Sequence, residues 1–539
     1  MARDRDYQDA ALTAILREFL THRAVMIELP TGTGKTHVFV SLASGWQIGR
    51  VLVMVPTLEL IDQAAAKIFR ETGVEPGIEQ GKRRSNESSW GRSPFVVGCK
   101  PSLYSKDRYK RFSGIGLVIV DECHLAETAA NKEMLDYFRE MGAYILGVSA
   151  TPKRKNGKIQ SSIFDVCAFQ MSLADAIHGG WLCPPQAHCV QIESLDLSAV
   201  HTVAGDFKQE ELAKVMEEER VVFEIAEVVA HESGRMKTIV FCASVKEAMA
   251  VSDLLVDKYH LKSAWVCGNK NLVDDDSRQS ILRSFQNDPN GIQIVCNVGV
   301  LTTGYDFPGL EHIVVARPTK SLTLYTQILG RGTRTLPNTV DFHPSTPETR
   351  KAAIAASAKP HFKITDMADN SLQHKLISVA DVMGGGMEPA IIERAKVAMQ
   401  RSSEPVLVDQ ALIDARRQLE AEQEEIARRK RARIEAKAKY RSVEVDVFDE
   451  GQRGKLVDRP KETPVMKFSK YVGKPISEVP SDFLRWCLKK CNEPDAHWTV
   501  KSFKFIAMNE LKRRKKDREQ KPVRVEKAEA IEAPVDGWF

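Results

Sequence analysis

The chain has 539 residues, 43% of them hydrophobic and 28% charged, and a formal net charge of +5. This length exceeds what one hydrophobic core usually serves, so we expect two or three domains. No run approaches the roughly 18 consecutive apolar residues of a membrane-spanning helix, and no apolar stretch follows the charged N-terminus as in a secretory signal. These features argue against a membrane or secreted protein, and we expect a cytoplasmic localisation.

Short apolar runs rich in Val and Ile recur along the chain, with helix-length segments between them. This pattern is typical of strands buried on both faces of a parallel α/β sheet. The runs fall into two groups, so the sequence predicts an α/β fold with two tandem parallel-sheet lobes. The clearest runs are Val51–Val55, Leu117–Val120, Ile145–Val148, Ile292–Cys296 and Ile313–Val315.

The composition changes after the second group of runs. From about residue 388 charged residues dominate, and helix-favouring residues follow one another to about 441. A linker, a small module and a tail that we expect to be disordered come next. The predicted domains are a first lobe at 1–165, a connector at 166–219, a second lobe at 220–385, a charged helical extension at 386–450, a small module at 465–516 and the tail at 517–539.

The charged stretch 408–441 is expected to form one long helix. Leu412, Leu419 and Ile426 repeat every seven residues, but the second seam position of a coiled coil is poorly filled. A solvated single helix is therefore favoured over a coiled coil. Its last part, Arg428–Arg441, holds eight basic residues and one acidic residue.

Ten cysteines are distributed along the chain, several of them within apolar runs, such as Cys242 and Cys296. That placement is typical of small buried residues in a cytoplasmic protein. Cys487, Cys491 and His497 form the closest group, which offers three zinc ligands where a structural site needs four. We therefore favour two cysteines on the buried side of a helix over a zinc site.

The strongest single motif is the loop PTGTGKT, which follows Leu29. Glycines let backbone N–H groups approach phosphate oxygens, a lysine can meet the β- and γ-phosphates, and a hydroxyl can hold Mg²⁺. Gly32, Gly34, Lys35 and Thr36 supply these groups. Leu29 occupies the place of the first glycine, so the loop alone could also be a structural turn. We expect ATP and Mg²⁺ as cofactors.

The motif DECH, which begins at Asp121, directly follows the run Leu117–Val120. Its carboxylates are therefore expected at the carboxyl end of a strand, where ligands gather in open α/β sheets. Asp121 can hold Mg²⁺, and Glu122 can orient or deprotonate an attacking water. An isolated acidic pair at a strand end would more often cap a helix, but this pair follows a phosphate-binding loop by about 85 residues.

With these motifs in place, the chain resembles a superfamily 2 helicase of the DExH kind over about residues 5–335. The resemblance implies two tandem RecA-like lobes, here with a helical C-terminal extension and a small C-terminal module, that couple ATP hydrolysis to movement along nucleic acid. The other matches, in the order of the family, are Arg5–Gln8 for the adenine-reading motif, Val55–Thr57 and Gly98–Leu103 for nucleic-acid motifs, Ser149–Thr151 for the coupling motif, and Thr302–Asp306 and Gln327–Arg334 for the second lobe.

Gln327, Arg331 and Arg334 are spaced by four and three residues, which fits one face of a helix or its start. A cluster of surface ion pairs is the alternative interpretation. The resemblance implies that these arginines reach across the cleft to the γ-phosphate, as an arginine finger does, so that ATP closes the cleft.

The resemblance also implies the roles of the individual site residues. The expected catalytic residues are Lys35, Asp121, Glu122, Gln327, Arg331 and Arg334. The residues expected to bind ATP are Arg5, Gln8, Thr31, Gly32, Thr33, Gly34, Lys35, Thr36, Gly304 and Asp306. The residues expected to hold Mg²⁺ are Thr36 and Asp121.

Further local matches are similar to the RadD-type repair helicases of bacteria, and related lobes occur in phage UvsW-type helicases and in the motor subunits of restriction enzymes. These matches include Gly147–Gly157, Gly179–Pro185 and Gly205–Phe207, and they continue to about Gly386. The chain then departs from RadD-type proteins, because it lacks their cysteine-rich zinc segment. A bacterial or phage origin is expected.

DNA is favoured over RNA as the nucleic acid, because the fourth residue of DECH is His124 where DEAD-box RNA helicases have Asp. The nearest relatives by motif also act on DNA. Such motors grip sugar and phosphate rather than base edges, so we expect binding that is independent of sequence. The candidate contacts are Thr57, Lys100, Ser102, Thr302 and Thr303.

The segment Met466–Trp486 resembles the small module at the end of exonuclease X-like proteins. It has no clustered carboxylates for catalytic metals, so we expect an accessory role in binding nucleic acid, or a protein partner that docks on the module or tail. Seven basic residues between Lys501 and Lys516 are interspersed with Phe503 and Phe505, as in a backbone-binding patch. A solvated basic helix beside a small aromatic core is an equal alternative.

Two classes of function therefore stay open. The chain could be a DNA helicase or translocase that serves repair, recombination or replication. It could instead be a DNA-stimulated ATPase clamp or recruitment protein that does not unwind, and an RNA helicase is a further alternative.

Overall fold

The computed structural model describes residues 5–57, 59–81, 83–85, 93–150, 154–155, 158–159, 161–302, 305–341, 346–368, 376–443, 474–490 and 506–515. The chain divides into two compact units, Met1–Ala432 and Arg433–Phe539. The first unit contains both predicted lobes, and the second contains the small module.

The first lobe is built on a seven-stranded parallel sheet. In chain order its strands are β1 (Ala24–Glu28), β2 (Arg50–Val55), β3 (Gly77–Glu79), β4 (Phe95–Cys99), β5 (Ile115–Asp121) and β6 (Tyr144–Ser149), then the separate hairpin β7 (Arg154–Lys155) and β8 (Lys158–Ile159), and finally β9 (Val166–Gln170). The spatial order of the sheet is β3-β4-β2-β5-β6-β1-β9.

Helices follow the strands of this sheet and cover its faces. They are α1 (Asp6–Glu18), α2 (Lys35–Ser44), α3 (Glu59–Thr72), α4 (Lys100–Tyr104) and α5 (Ala129–Glu140), with 3-10 turns at Ser105–Arg111 and Cys123–Leu125. Every residue of β1 and β4 is buried. Apolar and polar residues therefore do not alternate along these strands, as is typical of parallel sheets covered on both faces. The phosphate loop follows β1 and the DECH motif follows β5. Because these strands run parallel, both motifs lie where the carboxyl ends of the strands meet.

The second lobe has a sheet of the same size, in the order β14-β15-β13-β16-β17-β10-β18, parallel except where β18 pairs antiparallel with β10. Its strands are β10 (Pro185–Gln191), β13 (Thr238–Phe241), β14 (Ser263–Cys267), β15 (Ile294–Val298), β16 (His312–Val315), β17 (Phe362–Ala368) and β18 (Val406–Leu407). A separate hairpin is formed by β11 (Thr202–Val203) and β12 (Asp206–Phe207).

The helices of this part of the chain connect and flank those strands. They are α6 (Leu173–His178), α7 (Gln209–Met216), α8 (Glu219–Ser233), α9 (Val245–Asp257), α10 (Asp275–Asn287), α11 (Leu322–Gly332), α12 (Pro347–Ala355), α13 (Val379–Met383), α14 (Pro389–Arg401) and α15 (Val408–Val443). The predicted α/β fold with two tandem parallel-sheet lobes is confirmed.

The segment 166–219, expected from the sequence to be a connector, contributes a strand to each sheet. β9 pairs with β1 at the edge of the first sheet, and β10 pairs with β17 in the second. Both strands are only partly buried, so their sequences lack the continuous apolar run that revealed the central strands.

The second lobe extends past residue 385, where the sequence predicted its end. Ala395 and Met399 of α14 are buried, and so are Val408 and Leu412 at the start of α15. These side chains join the large core, while most residues of α15 from Arg416 onward are exposed. The charged composition of the segment concealed the few apolar positions that dock its first turns.

In the second unit, the described residues 474–490 and 506–515 share a small hydrophobic cluster. A 3-10 turn spans Ile476–Glu478, helix α16 spans Ser481–Lys490, and residues 506–515 are helical. The buried cluster contains Ile476, Val479, Leu484, Cys487 and Ala507. Cys487 is thus a core residue, whereas Cys491 and His497, the other candidate zinc ligands, lie outside the described residues.

Part of the predicted basic patch serves the structure of the module. The guanidinium of Arg514 donates hydrogen bonds to the carbonyl oxygens of Ile476 and Ser477 and to Ser481 Oγ, at 2.8–3.0 Å. Arg513 and Arg514 also both pair with the carboxylate of Glu510, at 2.9 and 2.8 Å. These two arginines therefore already have counter-charges, so they are weaker candidates for phosphate contacts than the sequence suggested.

Two features are absent from the described ranges. No helix there is long and apolar enough to cross a membrane. No group of three or more His, Cys, Asp or Glu side chains there is arranged to hold a metal ion.

The close approach of the segment before β2 to β5 makes a specific prediction about Gly116. A Cβ on this residue would lie 1.4 Å from the carbonyl oxygen of Ile48, a backbone atom that has no rotamer by which to move away. We expect Gly116→Ala to lower the free energy of unfolding by about 2–3 kcal/mol. Gly45→Ala is the matched control, because its nearest contact would be 3.7 Å away. Thermal and urea unfolding measure both, and equal stabilities would contradict the close approach.

Candidate functional site

The loop between β1 and α2 depends on two glycines. Gly32 and Gly34 have φ angles of 87° and 81°, in the left-handed region that glycine adopts without strain. A Cβ on Gly34 would also lie 2.7 Å from Nε2 of Gln8. The loop leads into a helix that begins at Lys35, and such an N-terminus attracts phosphate. Leu29, in the place of the missing first glycine, is buried in the core of the lobe.

A buried ion pair joins this loop to the DECH motif. Lys35 Nζ donates a hydrogen bond of 3.0 Å to Glu122 Oε1, and both side chains are 11% exposed. Glu122 Oε2 is buried, lies 3.4 Å from His124 Nδ1 and has no hydrogen-bond partner among the described residues. His124 Nδ1 is in turn 2.9 Å from Ser149 Oγ in the coupling motif. Thus Oε1 of Glu122 accepts a hydrogen bond from Lys35, whereas Oε2 can accept one from a further donor.

The backbone and the electrostatics at this strand end are both unusual. Glu122 has φ 45° and ψ 57°, a left-handed conformation that costs a non-glycine residue energy and often occurs at functional sites. Burial and the charge of Glu122 raise the pKa of Asp121 to about 6. Burial alone would also raise the pKa of Glu122, but the charges of Lys35 and His124 outweigh it and hold that pKa below its ordinary value. The pair therefore divides into a strong acid and a weak one.

Lys100, a candidate nucleic-acid contact by sequence, points into the first lobe. Its side chain is buried, and Nζ lies 3.3 Å and 3.5 Å from the carbonyl oxygens of Asp121 and Glu122. Burial lowers the pKa of this amine. Lys100 therefore stabilises the backbone at the acidic strand end. Its side chain, at the start of the short helix α4, is buried and not exposed to nucleic acid.

The second lobe contributes Arg331, near the end of α11. Its guanidinium donates hydrogen bonds of 2.6 Å to the carbonyl oxygens of both Thr302 and Tyr305. Burial lowers the pKa of Arg331 to about 10, which leaves the side chain protonated at neutral pH. Gln327 is buried on the same helix but does not line the cavity that Arg331 lines.

Arg334 lies beyond the end of α11 at Gly332, so the three motif residues do not share one helix face as the spacing suggested. Its guanidinium pairs with Asp306, and its buried Nε has no hydrogen-bond partner among the described residues. Burial lowers its pKa to about 10. The amine of Lys359 donates a 2.8 Å hydrogen bond to the carbonyl oxygen of Arg334 and fixes the backbone there. No sequence motif marked Lys359.

One cavity of about 310 Å³ lies between the lobes. It is lined by Lys35 and Glu122 of the first lobe and by Arg331 and Arg334 of the second. Two glycines allow the lobes to meet at its edge. A Cβ on Gly32 would lie 3.1 Å from Arg334 Cγ, and a Cβ on Gly330 would lie 2.9 Å from Thr31 Cβ. The phosphate loop of one lobe is therefore in contact with the arginine motif of the other.

The N-terminal segment closes another side of the cavity. Gln8 Nε2 and Tyr7 Oη both donate to the carbonyl oxygen of Thr33, at 2.9 and 2.6 Å. The guanidinium of Arg5 forms an ion pair of 2.8 Å with Asp341 of the second lobe. The spacing of Arg5 and Gln8 indicated this side of the site, whereas Asp341 lies in a segment without a motif and was missed.

The remaining predicted contacts are less completely described. Thr151, Thr303 and Gly304 lie outside the described residues. Thr57 lines a separate interlobe cavity of about 600 Å³ together with Gly299 of the second lobe. The structure therefore separates Thr57 from the cavity that contains the phosphate loop.

The site has the groups that a nucleoside triphosphate with Mg²⁺ requires. The glycine loop offers backbone donors, and the open Glu122 Oε2 and Arg334 Nε are buried polar atoms that await partners. Thr36 and Asp121 line the cavity and supply oxygen ligands of the kind that Mg²⁺ prefers. The residues present thus fit both groups.

The chain matches two protein families in consecutive segments. Residues 2–154 match the type III restriction enzyme res subunit family, and residues 219–335 match the helicase conserved C-terminal domain. The first contains the phosphate loop and DECH, and the second contains the arginine motif.

Individual relatives are similar to the chain over somewhat more than half of its length. IRC3 of Saccharomyces cerevisiae is 28% identical over 356 residues, which are 61% of this chain and 49% of that protein. A type I restriction enzyme EcoAI endonuclease subunit of Escherichia coli is 25% identical over 58% of this chain and 41% of its own. The ATP-dependent DNA helicase uvsW of Enterobacteria phage T4 is 23% identical over 58% of this chain and 63% of its own. The chain thus spans about half the length of the first of these relatives.

The raised pKa of Asp121 predicts that its charge destabilises the fold. We expect Asp121→Asn to raise the free energy of unfolding at pH 8 by on the order of 1–3 kcal/mol. Below the ordinary pKa of 3.8, folded and unfolded states both bind the proton, so the gain should shrink as the pH falls through about 6 and vanish near 4. Urea unfolding across this range measures it, with Asp253→Asn on the exposed side of α9 as the control. A gain independent of pH would contradict the assignment.

The geometry and the family matches point to the same conclusion. The two lobes, the phosphate loop, the acidic strand end and the arginine motif occur in one order along the chain and meet at one cavity. The chain therefore contains two segments that match helicase-type families, and over these segments it is similar to the superfamily 2 helicases of the DExH type.

Proposed function

We propose that this chain is a DNA helicase or translocase that hydrolyses ATP between its two lobes. The observation that carries the proposal is the shared cavity. Lys35 and Glu122 enter it from the first lobe, and Arg331 and Arg334 enter it from the second. A site divided in this way works only when the lobes come together, which links each hydrolysis event to a movement of one lobe against the other.

The residues divide the chemistry between them. When the amine of Lys35 binds the β- and γ-phosphates, it releases the carboxylate of Glu122, whose second oxygen has no hydrogen-bond partner among the described residues. Glu122 then orients the attacking water and accepts its proton. Mg²⁺ at Thr36 and Asp121 would supply charge neutralisation for the phosphate oxygens. Arg331 and Arg334 stabilise the charge that develops on the γ-phosphate.

Arg331 also offers a route from the nucleotide to the strand. Its guanidinium holds the carbonyl oxygens of Thr302 and Tyr305, in the segment that we expect to grip nucleic acid. A shift of Arg331 toward phosphate must therefore move or release that backbone. In this proposal the backbone has two states, one held by Arg331 and one released by it, and coupling between two sites requires such a pair of states.

DNA is the proposed nucleic acid because two of the relatives are named as proteins that act on it. The uvsW protein of phage T4 is a DNA helicase by name, and a DNA 3'-5' translocase, XPB2 of Sulfurisphaera tokodaii, is 33% identical over 29% of this chain. Unwinding and clamping are distinguished by two assays run side by side, strand displacement and triplex displacement. Displacement in neither assay, with DNA-stimulated ATPase activity intact, would favour a clamp or recruitment protein.

The Lys35–Glu122 pair predicts two different effects. Lys35→Ala should abolish turnover and weaken nucleotide binding, because the amine contacts phosphate in the ground state. Glu122→Gln should abolish turnover but retain binding, because the carboxylate acts on the water. Isothermal titration and a DNA-stimulated ATPase assay separate the two effects, with Lys132→Ala and Glu140→Gln on α5 as controls. Near wild-type turnover in Glu122→Gln would refute its assignment.

The arginine motif predicts an effect confined to the transition state. Arg331→Ala and Arg334→Ala should each lower DNA-stimulated ATP turnover by roughly 10³, while ATP affinity changes far less. Arg220→Ala, on the exposed surface of α8, should leave turnover unchanged. Wild-type turnover from the isolated first lobe would contradict a site shared between lobes.

The basic end of α15 predicts a salt effect. Truncation near residue 390 would remove buried residues of α14 and α15 from the second lobe, so the informative cut follows Ala427. We expect the 1–427 chain to keep its DNA-stimulated ATPase activity but to bind DNA more weakly. A plot of log affinity against log salt has a negative slope. For each phosphate that the shortened chain no longer neutralises, the slope should become shallower by roughly 0.9 on duplex DNA or about 0.7 on single strands.

Binding titrations at several salt concentrations measure that slope for both chains. A steeper slope in the full-length chain supports phosphate contacts beyond Ala427. Identical slopes would mean that the basic residues are only solvated, and the small module would then be a better candidate for docking a protein.

A further inference from the structure

A second cavity, of about 580 Å³, adjoins the nucleotide cavity. It lies between α2 and α3 of the first lobe and α10 of the second. Thr36, Asp121 and Lys67 line both cavities, so the two spaces meet beside the proposed Mg²⁺ ligands. The second cavity therefore begins where the γ-phosphate end of the nucleotide is expected.

Lys67 stands at the junction of the two cavities. Its side chain is half-buried, and no acceptor among the described residues lies within hydrogen-bond distance of its amine. Burial lowers the pKa of Lys67, and the positive charges of Arg70 and Arg334 lower it further against the opposing effect of Glu71. A half-buried cation near other cations gains most from an anion that can enter and leave.

Two further cations line the second cavity, together with the carboxylate of Asp306, which pairs with Arg334. Arg70 comes from α3 and Arg283 from α10, and both are exposed. The amides of Gln63 and Gln286 line the same cavity and can donate hydrogen bonds to an anion. A small anion would thus meet donors and cations from the buried end of the cavity to the solvent.

We infer that inorganic phosphate released by hydrolysis leaves through this passage, and that Lys67 receives it from the active site. The other side of the nucleotide cavity is narrowed by the contacts of Gly32 with Arg334 and of Gly330 with Thr31. While phosphate is bound, it would screen the repulsion between Lys67 and Arg334 of the second lobe, and its release along α3 and α10 would restore that repulsion and let the cleft reopen. This inference rests on the proposed hydrolysis of ATP.

A phosphate of the bound DNA strand is the other source of the same chemistry. The location favours the product, because Lys67 adjoins Thr36 and Asp121 whereas Thr57, a candidate DNA contact, lines a different cavity that Lys67 does not line. The experiment must therefore separate hydrolysis, phosphate release and DNA affinity.

The test uses the full chain with DNA and compares Lys67→Gln and Lys67→Glu with the wild type. Rapid chemical quench measures hydrolysis, a fluorescent phosphate sensor measures release, and oxygen-18 uptake from water into product phosphate measures how long the product is retained. We expect unchanged hydrolysis, with release slowed about fivefold in Lys67→Gln and more in Lys67→Glu. Retained phosphate should carry more oxygen-18. Lys214→Gln, on the exposed side of α7, is the matched control.

Each other outcome overturns the inference. A slower hydrolysis step would place Lys67 in the chemistry. Weaker DNA binding with unchanged release and unchanged oxygen-18 uptake would assign Lys67 to the DNA strand. Variants identical to the wild type in all three measurements would make Lys67 a solvated residue. Absence of hydrolysis in the wild type would instead refute the proposed function, which keeps the two failures distinct.

Discussion

The ion pair between Lys35 and Glu122 is the contact on which the site depends. A buried carboxylate without a partner is costly, and here the amine of the phosphate loop stabilises it at 3.0 Å. In the proposed function, a substrate phosphate replaces Glu122 as the partner of the amine, and the carboxylate is then free to bind the attacking water. The exchange that binds the substrate would therefore also activate the base. Burial is what makes the exchange strong, because solvent would screen an exposed pair.

The second lobe completes this arrangement with charges that are also buried. Arg331 and Arg334 remain protonated despite burial, and each has hydrogen bonds or charge partners within its own lobe. In the proposed function, an interaction of these arginines with substrate phosphate would compete with those partners. Such competition would give the cleft two arrangements and make the backbone at Thr302 sensitive to the nucleotide.

Much of the site could be predicted from the sequence because short motifs encode local geometry. Gly32, Gly34 and Lys35 lie on one continuous turn, and the DECH carboxylates follow a strand whose apolar run is unmistakable. Partners from distant segments could not be predicted, since Asp341 meets Arg5 only where the lobes dock and Lys359 meets Arg334 only through the folding of the second lobe. Lys100 resembled a surface contact in sequence, but the turn into α4 buries it. Strands β9 and β10 were missed because partial burial leaves no continuous apolar run.

Gly330 illustrates how a residue can be constrained by a functional state and not by the fold. The three atoms nearest to a Cβ at this position all belong to Thr31 of the other lobe. An added methyl group would therefore leave each lobe free to fold and would penalise only their apposition. Selection for thermal stability or soluble expression would pass over such a change, whereas selection for turnover would reject it. A collection of variants ranked by stability alone would thus retain proteins whose lobes fold well but no longer come into contact with each other.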